Sequence, residues 1–174
     1  MTTAVKQKAA KQQKEIFIRP QLCTGCHSCE LACAVSHTTD RDLVAAALRG
    51  ERPPRYIWVD QFDGLKAPTV CRQCKNAPCV TACPTGAMYV ADNDIKVCDV
   101  NQCIGCWMCV VACPFGAIAQ GDGVALKCSR DCMQGEDDIP ACVRACPTGA
   151  LVYMTVAEFA AERRRATAVS SRAR

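Results

Sequence analysis

The sequence predicts an α+β fold made of two similar modules, with the inner module inserted into the outer one. Three observations lead to this prediction: cysteine provides 17 of the 174 residues, only 5% of the residues are aromatic, and a Cys-rich unit recurs four times along the chain. A Cys content near one residue in ten is typical of a disulfide scaffold or a metal protein. So few aromatic side chains cannot fill a large apolar core. The composition therefore excludes a disordered chain and a large enzyme with a single core.

Sixteen of the cysteines fall into four groups of four. Group one is Cys23, Cys26, Cys29 and Cys33; group two is Cys71, Cys74, Cys79 and Cys83; group three is Cys103, Cys106, Cys109 and Cys113; group four is Cys128, Cys132, Cys142 and Cys146. The remaining Cys98 lies in the segment IKVC, which predicts a strand. We expect Cys98 to be a small buried residue and not a metal ligand.

The spacing within the groups indicates the metal. Groups one and three match the C-x2-C-x2-C-x3-C run that binds [4Fe–4S] clusters in bacterial ferredoxins. Gly25 and Gly105 allow the loop backbone to approach such a cluster closely. The fourth Cys follows the third by about one helical turn, so it can reach a neighbouring cluster. Zinc proteins use Cys pairs in fours or with His, and with only two His in the chain that alternative is weak.

The segments between the groups predict the secondary structure. After group two, three or four the chain continues as a helix end, a Gly turn and a short apolar strand, in the segments CPTGAMYV, CPFGAIAQ and CPTGALVY. Hairpins are predicted with turns at Asp92–Asp94 and Gly121–Gly123, and a strand is predicted at Ile16–Ile18. The insert at residues 34–70 predicts a helix in DRDLVAAAL and a hairpin around YIWVDQFDG. We expect this insert to cover cluster edges or, alternatively, to form a docking surface.

The connections suggest how the groups pair. A single hairpin joins groups two and three, which predicts an inner module at residues 71–119. Groups one and four then form an outer module from residues 16–70 and 120–156. Pairing of group one with two and of three with four remains the alternative.

The two ends of the chain are basic. Residues 1–15 and residues 157–174 each have a net charge of +3 by count of Lys, Arg and Glu. We expect a basic N-terminal extension and a basic C-terminal tail, either solvated or docked on an acidic partner surface. Residues 1–15 are expected to pack on a neighbouring subunit, which would permit self-association. The basic residues do not alternate with aromatic ones, so no nucleic-acid binding is predicted.

The ends and the hydropathy also predict the compartment. The first residues show neither the apolar stretch of a secretory signal nor an Arg pair, and no segment approaches the roughly 18 apolar residues that a membrane helix needs. We expect a cytoplasmic protein without membrane insertion. Thiols stay reduced in the cytoplasm, which favours metal ligands over disulfides.

Together these motifs resemble the four-cluster iron–sulfur subunits that accompany molybdenum and tungsten oxidoreductases, hydrogenases and carbon monoxide dehydrogenases. The resemblance covers about Ile16 to Thr155. It implies two bacterial-ferredoxin-like modules, the inner one inserted into the outer, with a small core built around four [4Fe–4S] clusters. The ligand sets that it implies are Cys23, Cys26, Cys29 with Cys146; Cys128, Cys132, Cys142 with Cys33; Cys71, Cys74, Cys79 with Cys113; and Cys103, Cys106, Cys109 with Cys83. Group four departs from the family in having three residues between Cys128 and Cys132.

The function that this resemblance implies is electron transfer without catalysis, in anaerobic metabolism. Four clusters form a wire between a catalytic oxidoreductase subunit and a second redox partner, such as a flavin subunit or a ferredoxin. We favour a tungsten or molybdenum aldehyde-type oxidoreductase as the catalytic partner. The alternatives are a carbon monoxide dehydrogenase, a formate dehydrogenase, a hydrogenase, or a stand-alone polyferredoxin. Cations near the Cys groups are expected either to raise cluster potentials or to be plain surface residues; they are Arg72, Lys75, Lys127, Arg130 and Arg144.

Overall fold

A computed structural model of the chain describes residues 13–133 and 138–172. Short helices and strands alternate along this part of the chain. The helices are α1 (Ser28–Val35), α2 (Leu43–Leu48), α3 (Pro78–Thr81), α4 (Met108–Ala112), α5 (Ala141–Arg144) and α6 (Val156–Arg172). The strands are β1 (Lys14–Ile18), β2 (Ile57–Phe62), β3 (Leu65–Val70), β4 (Met88–Val90), β5 (Lys96–Cys98), β6 (Ile118–Gln120), β7 (Ala125–Lys127) and β8 (Leu151–Thr155). The predicted mixed helix and strand class is confirmed, and the small sheets are compatible with a ferredoxin-like fold.

The described strands form four antiparallel pairs: β1 with β8, β2 with β3, β4 with β5, and β6 with β7. The two hairpins predicted between the Cys groups are confirmed. In the first, Asp94 adopts a left-handed backbone at the turn, and the Ala91 amide donates to the Ile95 carbonyl at 2.8 Å. In the second, the Gly121 amide donates to the Val124 carbonyl at 2.8 Å. Tight turns of this kind hold the following Cys group close to the preceding one.

Strand β1 pairs with β8 although more than 130 residues separate them. Lys14 lies opposite Thr155, and Ile18 lies opposite Leu151. Ile16 and Leu151 are both buried, and they pack in one core with the thiols of Cys29 and Cys142. Burial of an Ile or Leu side chain stabilises a fold by about 1.5–3 kcal/mol. This strand pair therefore joins the two ends of the described chain beside the Cys groups.

The insert forms the predicted helix and hairpin. Asp42 caps α2, with its carboxylate accepting from the Ala45 amide at 2.7 Å. The β2–β3 hairpin lies against group one: the Val59 amide donates to the Glu30 carboxylate at 2.5 Å, and Lys66 Nζ donates to the Thr24 carbonyl at 3.2 Å. These contacts agree with a covering role for the insert.

Residues 156–172 form helix α6, of which residues 163–169 are exposed. Thr155 and Glu158 form a reciprocal cap at its start: the Thr155 amide donates to the Glu158 carboxylate at 2.7 Å, and the Glu158 amide donates to Thr155 Oγ1 at 3.2 Å. Phe159 stacks on Phe17 with ring centroids 4.2 Å apart, and Glu162 pairs with Arg19. The helix is thereby attached to β1. The N-terminal extension falls largely outside the described residues.

None of the helices in the described ranges combines the length and the apolar character that crossing a bilayer requires.

Candidate metal centres

Four short helices each carry the third Cys of one group. Cys29 and Cys33 lie on α1, and Cys109 lies on α4 with Cys113 directly after it. In groups two and four, Cys79 lies on α3 and Cys142 on α5, and the fourth Cys follows the end of the helix by two residues. Helix α1 packs on α5, and α3 packs on α4. Groups one and four therefore meet, as do groups two and three.

Three cavities are each lined by four of the grouped cysteines, drawn from two different groups. Site A is lined by Cys23, Cys26, Cys29 and Cys146; site C by Cys71, Cys74, Cys79 and Cys113; site D by Cys103, Cys106, Cys109 and Cys83. The cavities have similar volumes, about 300, 350 and 320 Å³. Each combines three cysteines of one group with the last cysteine of the partner group.

The remaining four grouped cysteines, site B, also lie near one another. They are Cys33, Cys128, Cys132 and Cys142. The pKa of the Cys142 thiol is raised well above its usual range, first by burial and then by the negative charge that Cys128, Cys132 and Cys33 bear when ionised. Burial likewise raises the pKa of Cys128 to about 12. Thiols this close and this buried need cations among them to ionise together.

The chemistry of the four sites fits an iron–sulfur cluster. Each site offers four thiols, the ligand set of a [4Fe–4S] cluster. Among residues 13–133 and 138–172, no three His, Cys, Asp or Glu side chains converge closely enough to hold a single ion, as four thiols about 2.3 Å from zinc would. Burial raises the pKa of Cys29 to about 11, so metal binding at neutral pH must displace thiol protons.

A shared turn shapes all four cysteine loops. The second residue after the first Cys of each group has a left-handed backbone: Gly25 (φ 71°), Gln73 (φ 48°), Gly105 (φ 64°) and Arg130 (φ 58°). In group four the additional residue of the Cys128–Cys132 spacing comes after this turn. The left-handed turns at Gln73 and Arg130 were not predicted from the sequence, because only Gly was considered at this position of the loop. Gln73 and Arg130 stand two residues after the first Cys of their groups, as Gly25 and Gly105 do, and this shared position could have predicted their turns.

The Gly105 turn gives a testable prediction. A Cβ at Gly105 would lie 2.7 Å from the carbonyl oxygen of Gly123, whereas a Cβ at Gly116 would meet nothing within 4 Å, at a similar φ of +61°. Gly116→Ala should therefore destabilise the fold by about 1–2 kcal/mol, through its positive φ alone. Gly105→Ala should add about 1–3 kcal/mol for the clash and weaken cluster retention at site D. Thermal unfolding and iron content of the two variants measure this; equal losses would contradict it.

Hydrogen bonds to sulfur follow the repeated CPTGA tails. The Met88 amide donates to Cys83 Sγ at 3.4 Å, and the Thr85 hydroxyl lies 3.7 Å from the same sulfur. The Thr148 hydroxyl lies 3.8 Å from Cys146 Sγ. Burial acts to raise the pKa of Cys83, but these donors lower it overall. Donors of this kind stabilise negative sulfur and raise the potential of a cluster bound there.

The sites follow one another in the order A, B, C, D. Helix α1 links A to B through Cys29 and Cys33, and Cys79 and Cys83 link C to D across α3. Between B and C, Cys128 and Cys71 pack in one small buried core. Cys26 of site A and Cys106 of site D are the two exposed cysteines of the chain. Both ends of the row therefore reach the surface, while its middle is buried.

Cys98 lies at the end of β5 and lines the cavity of site D beside the four grouped cysteines. Its pKa is raised to about 12, first by burial and then by the neighbouring Cys103. That Cys98 is not a ligand stays a prediction.

The cations singled out from the sequence divide into two sets. Arg72, Lys75 and Arg144 are exposed, whereas Lys127 and Arg130 are buried. The Arg130 guanidinium pairs with Glu15 on β1, so it anchors the group-four loop. Lys96 is also buried and was missed from the sequence.

His37 lies two residues after the end of α1. Its Nδ1 lies 2.6 Å from the Cys33 carbonyl oxygen, and its Nε2 lies 3.1 Å from the Asp131 carboxylate. Its ring packs edge-on against Tyr56, with centroids 4.7 Å apart. His37 therefore ties α1 to the loop that precedes Cys132.

Comparison with known proteins agrees with this geometry. A family model described as a 4Fe-4S dicluster domain matches residues 62–156, and one described as a 4Fe-4S binding domain matches residues 20–36. The chain is 39% identical to an iron-sulfur protein of Rhodospirillum rubrum over 157 residues, covering 81% of this chain and 82% of the relative. It is 37% identical to the electron transport protein HydN of Escherichia coli strain K12 over 165 residues, covering 84% and 93%.

A third relative is the thiosulfate reductase electron transfer subunit PhsB of Salmonella typhi, 36% identical over 136 residues, covering 75% of this chain and 70% of the relative. The names of HydN and PhsB describe electron transport and electron transfer. The family model that matches more than half of the chain describes a domain with two [4Fe–4S] clusters. The protein is accordingly a non-catalytic electron carrier with [4Fe–4S] clusters. The chain belongs to the [4Fe–4S] ferredoxin-type family of electron-transfer proteins.

Proposed function

We propose that the chain holds four [4Fe–4S] clusters, one at each of sites A to D, and passes single electrons along the row. The observation on which this rests most is that each site combines three cysteines of one group with the fourth of another. Those combinations are the four ligand sets given above, so sixteen cysteines serve as ligands and Cys98 does not. Neighbouring sets are connected through α1, through the shared core of Cys71 and Cys128, and through α3.

We further propose that the two modules are nested. Sites C and D would belong to the inner module at residues 71–119, and sites A and B to the outer module at residues 16–70 and 120–156. The β1–β8 pair and the packing of α1 on α5 support an outer module whose parts come from distant segments. The packing of α3 on α4 supports a continuous inner one. The basic extension at 1–15 and the segment 157–174 flank them.

Each cluster supplies one-electron chemistry when bound. The residues of the chain then set how easily each cluster accepts an electron. Thr85, Thr148 and the Met88 amide donate to ligand sulfurs, and the β2–β3 hairpin covers site A with Val59 and Pro68. Trp107 lines the cavity of site D, where its ring excludes water. Exposed Cys26 and Cys106 mark the two ends at which electrons enter and leave.

The proposed partners are a catalytic oxidoreductase subunit at one end and a second redox protein, such as a flavin subunit or a ferredoxin, at the other. The name of PhsB, an electron transfer subunit of a reductase, supports a catalytic partner. A tungsten or molybdenum aldehyde-type oxidoreductase remains our preferred partner. The cytoplasmic location and the contact of residues 1–15 with a neighbouring subunit remain predictions from the sequence.

A metal inventory of the native complex tests this proposal. The protein should be purified anaerobically from its own host without removing partners. We expect about sixteen iron atoms per chain, four for each of four clusters, together with tungsten or molybdenum. Nickel in their place would indicate a hydrogenase or carbon monoxide dehydrogenase. Iron alone would favour a stand-alone polyferredoxin, and zinc with little iron would overturn the proposal.

A further inference from the structure

Two lysines are buried beside site C: Lys96, and Lys127, which is one of the cations noted near the Cys groups in the sequence. Lys96 is 2% exposed and Lys127 is 4% exposed, and both line the cavity that Cys71, Cys74, Cys79 and Cys113 share. A lysine this buried in a folded protein is rare unless it has a partner. The partners of the two lysines differ.

Lys96 has a carboxylate partner. Its Nζ lies 3.0 Å from the Asp94 carboxylate and donates to the Asp94 carbonyl at 2.7 Å. Lys127 has only neutral ones: its Nζ donates to the carbonyl oxygens of Lys96 and of Cys128, the latter at 3.2 Å. The ion pairs among the described residues include none to Lys127.

The position of the Lys127 ammonium is fixed by its surroundings. Gln73 donates from Nε2 to the Cys128 carbonyl at 2.8 Å and accepts from the Lys96 amide at 2.8 Å. Gln73 therefore locks the two backbone segments whose carbonyls hold Lys127. Lys127 thus lies in the wall of the cavity that the cysteines of site C share.

A buried cation without an anion is strongly unfavourable, and the four thiolates of site C, with the cluster they would hold, are the anion within reach. We propose that Lys127 is the built-in counter-charge of site C and raises the reduction potential of its cluster. This inference rests on the proposed function. Reduction adds one electron and one unit of negative charge to the cluster, and the ammonium of Lys127 stabilises that added charge. Lys127 acts through the ligands and is therefore a positioning residue.

The test is an anaerobic redox titration of the full chain with its clusters, followed by electron paramagnetic resonance and paired with iron analysis. Lys127→Met should retain its iron while one cluster becomes at least tenfold harder to reduce at a fixed solution potential, which is about 59 mV for a one-electron couple. Lys127→Arg should keep the potential of the unmodified protein. Lys96→Met is the matched control, because its charge is already balanced by Asp94, and we expect a clearly smaller shift.

The outcomes separate the inference from the function on which it rests. Full iron with unchanged potentials in Lys127→Met, or an equal shift in Lys96→Met, would overturn the role of Lys127 alone. If Lys127→Met loses iron, Lys127→Gln keeps a donor without the charge and is measured instead. Loss of iron there but not in Lys127→Arg would support the counter-charge; loss in all three variants would overturn it. An unmodified protein far below sixteen iron atoms would contradict the proposed function.

Discussion

Replacement of Cys142 by serine is expected to remove the cluster of site B and to interrupt electron transfer between the two ends of the protein. Cys142 is buried on α5, and its site lies between A and C in the row. The iron content should fall from about sixteen to about twelve atoms per chain, since one cluster holds four. Reduction of site D by a donor that docks near site A should be almost abolished. Iron analysis and stopped-flow reduction kinetics measure the two effects.

The matched control for this prediction is Cys98→Ser. Cys98 is also a partly buried thiol near a site, but it is not one of the sixteen proposed ligands. This variant should keep its iron and its electron transfer rate. Loss of four iron atoms in Cys98→Ser, or full iron in Cys142→Ser, would show that the ligand assignment is wrong.

Anaerobic extraction of the iron is expected to abolish the cooperative unfolding transition of the protein. The buried apolar residues form three small clusters, and each contains at least two cysteines. Without metal these cores bring thiols together but supply little apolar area, and a chain of this size has a small margin of stability. In the proposed arrangement, sixteen ligand bonds would replace much of the missing core.

Circular dichroism and hydrogen exchange before and after extraction check this second prediction. The amides of β4–β7 should lose protection most clearly, because each strand there has only three residues and isolated short hairpins are marginally stable. Rebuilding the clusters with iron and sulfide should restore the transition. An iron-free chain that unfolds cooperatively at the original temperature would contradict the prediction.

The turns and short helices could be predicted from the sequence, because residues close together in the chain determine them. The Asp92–Asp94 and Gly121–Gly123 turns predicted their hairpins, and the x2-x2-x3 spacing predicted the short helices that end the Cys groups. Helix α6 was not predicted from the sequence, although Thr155 followed three residues later by Glu158 is the capping-box pattern of a helix start. The prediction for this segment relied on charge, which ignores the long-range stacking of Phe159 on Phe17.

The environment of site C could be predicted only in part. Lys96 and Lys127 stand at the ends of strands where lysine usually reaches solvent, and their burial depends on β5 and β7 meeting in space. Gln73 adopts a left-handed backbone that Gly adopts most readily. Because the residue is Gln, the sequence did not indicate a turn there. These features arise from tertiary contacts between distant loops, which no local pattern records.

The pairing of β1 with β8 has a consequence for how the protein is made on the ribosome. Domains fold progressively as the chain emerges, and the proposed ligands of sites C and D have all left the exit tunnel once residue 113 has emerged. Site A waits for Cys146, and its β1 strand has no partner until residue 155 appears. With the proposed ligand sets, clusters could be inserted at sites C and D first. The four cysteines of group one would lack their partners in group four until translation is nearly finished.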